Sequence, residues 1–172
     1  MKIFSIKTNN IIYLMQDVII YTVIIIAFEC FLYYYLSGSD KELFFFLSFL
    51  ILLVYLGAIL LPALILYSNY RKYNKNTVLT IEKENIKING INIEISAIKE
   101  IVITATYQHF SEHKGATSLP YNDYFYYIDI CLKENENFYL TSLLGYELDK
   151  ELKKQFPILH FRNQIKSFPK IK

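Results

Sequence analysis

The fold of this chain is decided by residues 43–67, which read Leu-Phe-Phe-Phe-Leu-Ser-Phe-Leu-Ile-Leu-Leu-Val-Tyr-Leu-Gly-Ala-Ile-Leu-Leu-Pro-Ala-Leu-Ile-Leu-Tyr, 25 positions without a charged side chain. An α-helix rises about 1.5 Å per residue, so this segment would be about 37 Å long and could cross a hydrocarbon core of about 30 Å. The core of a soluble domain does not need an apolar run of this length. The sequence therefore predicts a membrane-spanning helix over residues 43–67.

Another apolar segment, residues 18–36, lies before residues 43–67 in the chain and contains one acidic side chain. Residues 37–42 join the two segments, and a connection of this length can place two helices antiparallel to each other. A cleaved signal peptide does not fit, because Tyr33, Tyr34 and Tyr35 stand where small residues would be required. Residues 1–75 are therefore predicted to form a two-helix transmembrane hairpin.

The charges that flank the hairpin predict its orientation. Lys2 and Lys7 precede the first segment, and Arg71, Lys72 and Lys75 follow the second, whereas the short connection holds one basic and two acidic residues. Basic residues concentrate on the cytoplasmic side of a membrane. Both termini are therefore expected in the cytoplasm, with the protein in the inner (cytoplasmic) membrane.

The charge balance and the cysteines exclude several classes of protein. The chain has 18 basic and 16 acidic residues, a formal net charge of +2, and it lacks the basic stripe of a nucleic-acid-binding protein. Cys30 lies in an apolar segment and Cys131 in a predicted strand, so they cannot pair, which suits a reducing compartment. The sequence contains no Gly-rich phosphate loop or nucleophile motif, so we expect neither a cofactor nor catalytic residues.

The pattern after residue 75 is that of a β domain. Isoleucines alternate with polar residues on both sides of Asn89-Gly90. This dipeptide is a strong hairpin signal, because both central residues of a type I′ turn need a positive φ. Further predicted strands cover residues 78–83, 98–107, 124–133 and 138–143. Residues 146–156 fit a helix, because apolar residues recur every four positions, with acids in the first turn and lysines in the last.

About six short antiparallel strands capped by a helix form the outline of a pleckstrin-homology-like (PH-like) barrel. The segments that carry this order are Leu79-Thr80-Ile81, Ile86-Lys87-Ile88-Asn89-Gly90, Ile95-Ser96-Ala97-Ile98-Lys99-Glu100-Ile101, Tyr127-Ile128-Asp129-Ile130, Phe138-Tyr139-Leu140 and Leu144-Gly145-Tyr146-Glu147-Leu148. Over about residues 10–157 the chain resembles bacterial PH-like domain proteins with two N-terminal membrane spans. The resemblance implies a helical transmembrane hairpin, a mainly-β (α+β) cytoplasmic domain over residues 76–157, and a non-enzymatic interaction role. It does not imply phosphoinositide binding, because the first hairpin turn offers only Lys83 as a phosphate contact.

One motif has a catalytic interpretation. Residues 109–113 read His-Phe-Ser-Glu-His, the H-x-x-E-H pattern of inverted zinc peptidases. That chemistry needs both histidines on one face of a helix, whereas here the motif follows a β-branched strand and runs into residues of loop composition. We therefore interpret it as part of a polar loop and expect no metal site.

That loop, residues 109–123, is the longest connection of the β domain and is followed by a run of aromatic residues. Long loops on a rigid sheet often carry binding sites, and aromatic side chains are enriched at interfaces. The alternative is that alternate members of the run belong to the core. The candidate partner-binding residues are Phe110, Glu112, His113, Tyr121, Tyr124 and Tyr126.

Glu29 is the acidic residue near the middle of the first apolar segment. A charge at that depth costs at least about 2.5–3.5 kcal/mol, so an intramembrane acid is a functional candidate. Folding the hairpin makes Ser48 the nearest hydroxyl to Glu29. Three interpretations remain open: a proton or ion path, a polar contact with another membrane subunit or a second copy, and a hydrogen bond within the hairpin.

The last segment, residues 158–172, is a basic tail whose apolar residues follow spacings of three, four and three. A basic amphipathic segment beside a bilayer could lie on anionic lipid. The alternatives are a last helical turn packed on the barrel and a frayed terminus. The candidate membrane-surface residues of the chain are Arg71, Lys72, Lys75, Arg162, Lys166 and Lys170.

Two classes of function fit this sequence. The first is a membrane-anchored, non-enzymatic interaction module, an accessory subunit of an inner-membrane assembly whose partner is another membrane or envelope protein. The second is an immunity or regulatory protein that neutralises a dedicated toxin or partner at the membrane.

Overall fold

The structure is a computed structural model that describes residues 1–36, 40–111 and 123–172. Its helices are α1 (Thr8–Leu14), α2 (Gln16–Leu36), α3 (Lys41–Tyr55), α4 (Leu61–Asn74), α5 (Tyr107–Phe110) and α6 (Leu148–Gln155). Its strands are β1 (Lys2–Phe4), β2 (Leu79–Ile81), β3 (Asn85–Ile88), β4 (Ile91–Glu94), β5 (Ile98–Ala105), β6 (Tyr127–Leu132), β7 (Asn137–Thr141) and β8 (Phe161–Ile165). This order agrees with the α+β class that the sequence predicts.

The apolar segments form two long helices. α3 continues through a π turn, Leu56–Leu60, into α4, so that Lys41–Asn74 is one continuous helix of 34 residues. The π turn contains Gly57 and ends just before Pro62, which cannot donate a backbone hydrogen bond. α2 and Lys41–Asn74 are long and apolar enough to cross a membrane. Only 11% and 17% of their most apolar windows are buried inside the structure, whereas the core helix of a soluble protein is mostly buried.

The strands form two four-stranded sheets. In the first sheet the order is β1-β2-β3-β4, and every neighbouring pair is antiparallel. In the second sheet the order is β7-β6-β5-β8, and β8 runs parallel to β5. The predicted turn between β3 and β4 is confirmed, because Asn89 and Gly90 have φ values of 52° and 84°.

β1 changes the domain boundaries that the sequence suggests. Phe4 lies opposite Leu79, so the strand that precedes the helices pairs with the strand that follows them. Lys2 also forms an ion pair with Glu151 of α6. Residues 2–4 therefore belong to the β domain, and the helical hairpin is the connection between two adjacent strands.

The two sheets enclose a core of buried aliphatic side chains, and α6 covers one end of it. Ile86 and Ile93 from the first sheet meet Ile103 and Ile128 from the second. The predicted C-terminal helix is confirmed, since Leu148, Leu152 and Phe156 are buried in this core. Complete burial of one such apolar side chain stabilises the fold by about 1.5–3 kcal/mol.

A second cluster of buried residues covers the outer face of the second sheet. Its members come from α1, α4, β6, the segments that flank β6 and β7, and the C-terminus: Leu14, Leu66, Tyr70, Phe125, Tyr127, Leu143 and Ile171. Asn10 of α1 donates to the carbonyls of Leu143 and Leu144 at 3.1 and 2.9 Å, and Asn74 of α4 donates to the carbonyl of Tyr139 at 2.9 Å. The ends of the helical hairpin are therefore packed and hydrogen-bonded onto the sheet.

The C-terminal segment is neither of the two structures that the sequence suggested, a last helical turn or a frayed terminus. Phe161–Ile165 is strand β8, at the edge of the second sheet, and it is neither a helical turn nor frayed. Beyond it the chain runs along α4, where Ile171 is buried in the second cluster. The apolar spacing suggested an amphipathic helix, but pairing with β5 satisfies the backbone of this segment instead.

Candidate functional site

A cavity of about 300 Å³ lies where α1, α5 and the start of α6 meet. Its lining residues are Tyr13, His109, Ser111, Asp123, Tyr124, Tyr146, Glu147, Asp149 and Lys150. Three tyrosines form one wall. The ring of Tyr13 lies 5.1 Å from the ring of Tyr124, almost perpendicular to it, and 4.4 Å from the ring of Tyr146. The cavity is therefore amphipathic, with aromatic rings on one side and charged groups on the other.

A buried hydrogen-bonded pair of side chains, His109 and Asp149, lines this cavity. His109 Nε2 lies 3.1 Å from Asp149 Oδ2, and both side chains are 8% exposed. The His109 ring also packs on the ring of Tyr126, with 4.5 Å between the ring centres. The Tyr126 hydroxyl donates to the carbonyl of Gly145 at 2.9 Å and accepts from the backbone N–H of Asp149 at 3.3 Å. These contacts fix the start of α6 against α5.

The pKa shifts show which groups carry charge in the cavity. Burial alone would raise the pKa of Asp149, but the hydrogen bond and charge of His109 outweigh it, and the pKa is lowered. Asp149 is therefore an anion at neutral pH. Burial raises the pKa of Tyr126 well above its ordinary value and also raises the pKa of Tyr13 and Tyr124. The hydroxyls of Tyr13 and Tyr124 stay neutral, so they can donate hydrogen bonds to a ligand.

The topology and the comparison with known families agree. Mostly antiparallel strands capped by a helix are what the sequence predicts for a PH-like domain, and the family model described as PH domain matches residues 3–152. The chain belongs to the PH domain family. The match begins in β1 and runs through both apolar helices, so the helical hairpin lies within the matched region. No curated protein and no solved structure matches the chain.

The structure of this PH domain corrects one candidate residue. Tyr126 is completely buried, with its hydroxyl bonded inside the domain, and it cannot belong to an exposed binding surface. Tyr124 lines the cavity, and Phe110 packs partly buried against the core between the sheets. Glu112, His113 and Tyr121 lie outside the described residues. Sequence reasoning missed Tyr13 and Tyr146, because only the docking of α1 brings them beside Tyr124.

The structure describes only the first part of the H-x-x-E-H motif. His109 lies in the four-residue helix α5 and pairs with Asp149, while the Glu and the second His of the motif fall outside the described residues. Within the described parts of the chain, no group of three or more His, Cys, Asp or Glu side chains could hold a metal ion.

The two intramembrane candidates are brought together. Ser48 Oγ donates to Glu29 Oε2 at 2.5 Å, between α2 and α3. A second polar contact, which sequence reasoning missed, joins Thr22 Oγ1 to the Tyr55 hydroxyl at 2.5 Å. Two helical turns separate Thr22 from Glu29 and Ser48 from Tyr55, so both contacts lie on the seam between the antiparallel helices.

Three of the six basic residues proposed for the membrane surface lie together, and the other three lie apart. Lys72, Lys166 and Lys170 line one groove beside α4. Arg162 instead pairs with Glu100 at 3.2 Å on the second sheet, Arg71 lies over the ring of Tyr67, and Lys75 is exposed at the end of α4.

Proposed function

We propose that the chain is a membrane-anchored, non-enzymatic protein-interaction module that serves as an accessory subunit of an inner-membrane assembly. PH domains are typically interaction modules without catalytic activity. In this proposal α2 and Lys41–Asn74 cross the bilayer, and the β domain and both termini lie in the cytoplasm.

The exposure of the two long helices supports the membrane anchor. Most of their large apolar side chains face outward, where water would hydrate them at a cost of about 25 cal/mol for each Å² of apolar surface. A bilayer removes that cost. Asp40 supports the turn between the helices, because its carboxylate accepts from the backbone N–H of Leu43 at 3.1 Å and caps α3.

The single observation that carries the proposed role is the packing of α1, α4 and the C-terminus over the outer face of the second sheet. A flexible linker would leave the domain free to rotate below the membrane. Here Tyr70 and Phe125 are fully buried against each other, with 5.6 Å between their ring centres. The domain is therefore held at a defined height and orientation, as an adaptor that presents one surface to a membrane partner.

The surface proposed for the partner is the cavity lined by Tyr13, Tyr124 and Tyr146. Tyrosine offers a large contact area with a polar tip and is enriched at binding interfaces. Glu147 and Lys150 flank the aromatic wall and can orient a polar group of the partner.

Affinity capture of the tagged full chain from native membranes tests this function. Tyr146→Ala should reduce the captured partner about tenfold, the typical effect of truncating an interface hot spot. Ile158→Ala is the matched control, because Ile158 is 85% exposed and lies outside the cavity. Equal capture by the two variants, or the same capture as by the unmodified chain, would place the binding surface elsewhere.

A further inference from the structure

A groove of about 900 Å³ lies between α4 and the C-terminal tail, residues 166–172. The wall contributed by α4 consists of Leu61, Leu64, Ile65, Ser68, Asn69, Lys72 and Tyr73. The opposite wall consists of Lys166, Phe168, Lys170, Ile171 and Lys172. The volume is within the range of small-molecule sites, about 300–1,000 Å³.

The face of α4 changes character along its axis. Leu61, Leu64 and Ile65 are exposed and apolar, Ser68 and Asn69 follow, and Lys72 ends the series. The spacings of three and four place all of them on one side of the helix. A groove that is apolar at one end and cationic at the other matches a molecule with a hydrocarbon chain and an anionic head.

The tail that forms the other wall is fixed to α4 by hydrogen bonds. The Asn69 side chain donates to the carbonyl of Ile171 and accepts from its N–H, both at 3.0 Å. The hydroxyl of Tyr70 donates to the carbonyl of Pro169 at 2.7 Å. The groove is therefore preformed, and a ligand would not have to order the tail.

Four lysines from two chain segments line the groove. Lys72 comes from α4, whereas Lys166, Lys170 and Lys172 come from the tail. Lys166 Nζ donates to the Tyr127 hydroxyl at 3.1 Å, and an ammonium group has two further donors. Among the described lining residues there is no Asp or Glu, so no acidic side chain of the groove neutralises these lysines.

We propose that this groove binds one anionic phospholipid. The phosphate contacts Lys72, Lys166 and Lys170, and an acyl chain lies along Leu61, Leu64 and Ile65. This inference rests on the proposed membrane anchor, because α4 then runs from the acyl-chain region to the cytoplasmic surface and places each end of the groove at the matching depth. Basic pockets beside spans on the cytoplasmic side bind anionic headgroups in this way.

The charge pattern favours a lipid over a protein in the groove. Another apolar helix would bury these lysines without an acidic partner, and burying unpaired charge is costly. A phospholipid satisfies the lysines with its phosphate and covers the leucines with its chain.

Lipid titration of the purified full chain in mild detergent tests the proposal, with binding read by native mass spectrometry. Dioleoyl phosphatidylglycerol should bind with a stoichiometry of one and at least about tenfold more tightly than dioleoyl phosphatidylcholine, which has the same chains. Glycerol phosphate, the soluble head alone, should not compete at concentrations that exceed the lipid many times over. Equal binding of the two lipids, or effective competition by glycerol phosphate, would overturn the assignment to an anionic lipid.

Two pairs of variants locate the site. Lys72→Gln combined with Lys170→Gln should weaken phosphatidylglycerol binding at least about tenfold, whereas Lys83→Gln with Lys99→Gln removes the same charge from exposed sites on the β domain and should leave it unchanged. Leu64→Trp should block the apolar end, and Ile20→Trp on the exposed face of α2 is its control. Equal effects within either pair would contradict the proposal.

The outcome is separable from that of the proposed function. If fractionation finds the chain outside membranes, the anchor itself fails, whatever the titration shows. If the chain is in the membrane but phosphatidylglycerol does not bind, only the lipid site is wrong. If light scattering shows that the lysine variant loses a dimer while its lipid binding is unchanged, the groove holds a second copy.

Discussion

Phe4 lies opposite Leu79 in adjacent antiparallel strands, although the whole helical hairpin separates them in sequence. The two ends of the hairpin are therefore fixed side by side in one sheet. A chain that crosses a membrane between such paired strands must cross it an even number of times. This relationship requires both ends of the hairpin on one side, independently of the flanking charges.

The contribution of β1 can be measured with two neighbouring residues. Phe4 is partly buried against the core, whereas Ile3 points outward. Phe4→Ala should lower the free energy of unfolding of the β domain by about 1–3 kcal/mol, because it loses part of the burial of an aromatic ring. Ile3→Ala should change it by less than about 0.5 kcal/mol. Denaturant unfolding of the full chain in detergent measures both, and equal effects would mean that β1 does not pack as described.

The packing of the C-terminus can be tested with one buried and one exposed isoleucine. Ile171 is 2% exposed and Ile165 is 58% exposed. Ile171→Ala should destabilise the domain by about 2–4 kcal/mol, because it leaves a cavity in the second cluster, while Ile165→Ala should be nearly neutral. Thermal unfolding distinguishes them. A neutral Ile171→Ala would show that the tail is not held against α4, and the lipid groove would lose one wall.

The contact between Glu29 and Ser48 predicts an energetic coupling in the membrane. Glu29→Gln keeps an acceptor for the Ser48 hydroxyl and should be tolerated. Glu29→Ala and Ser48→Ala each remove the contact, so a double-mutant cycle should give a coupling of about 0.6–1.7 kcal/mol. The measurement is unfolding by a denaturing detergent in mixed micelles. Zero coupling would leave a partner contact or a proton path as the role of Glu29, and loss of function in an assembled Glu29→Gln variant would favour the proton path.

Asp149 and Asp129 of the β domain predict opposite dependence of stability on pH. The pKa of Asp149 is lowered, since the hydrogen bond and charge of His109 outweigh burial. A carboxylate with a lowered folded pKa stabilises the fold above its unfolded pKa, and that stabilisation is lost as pH falls through the folded value. Asp149→Asn should therefore cost about 1.5–3 kcal/mol near neutral pH, and the difference should vanish well below about pH 4.

Asp129 is the control for that prediction, because burial raises its pKa. Its ionised form opposes folding above the folded pKa, and protonation relieves this as pH falls. Asp129→Asn should therefore leave stability unchanged or raise it near neutral pH, with the difference fading in acid. Parallel pH profiles for Asp149→Asn and Asp129→Asn would contradict the assigned environments.

Much of the fold can be predicted because its signals are local. The Asn89-Gly90 turn, the strands around it and the helix that buries Leu148 and Leu152 follow from short-range patterns, and the structure confirms them. The two apolar helices follow from length and composition. β1 could not be predicted in this way, since three residues show no periodicity and their partner is β2, beyond the hairpin.

β8 was not predicted, and the sequence analysis allowed only alternate members of the aromatic run to be buried. β8 is an edge strand whose side chains are mostly exposed, so Phe161–Ile165 shows no alternation of apolar and polar residues. Phe125, Tyr126 and Tyr127 are all buried because the second sheet is covered on both faces, by the barrel core and by the helices. A sheet buried on both faces loses the alternation that would separate core from surface.

We propose that a membrane-spanning hairpin connects paired strands of one cytoplasmic PH domain. Cysteine labelling in intact cells tests it directly, using Lys7→Cys, Lys41→Cys and Lys75→Cys in a chain whose Cys30 and Cys131 are replaced by Ser. A membrane-impermeant thiol reagent should label position 41 in intact cells, and positions 7 and 75 only after the membrane is permeabilised. Labelling of position 7 or 75 in intact cells, or equal protection of all three positions, would contradict the account.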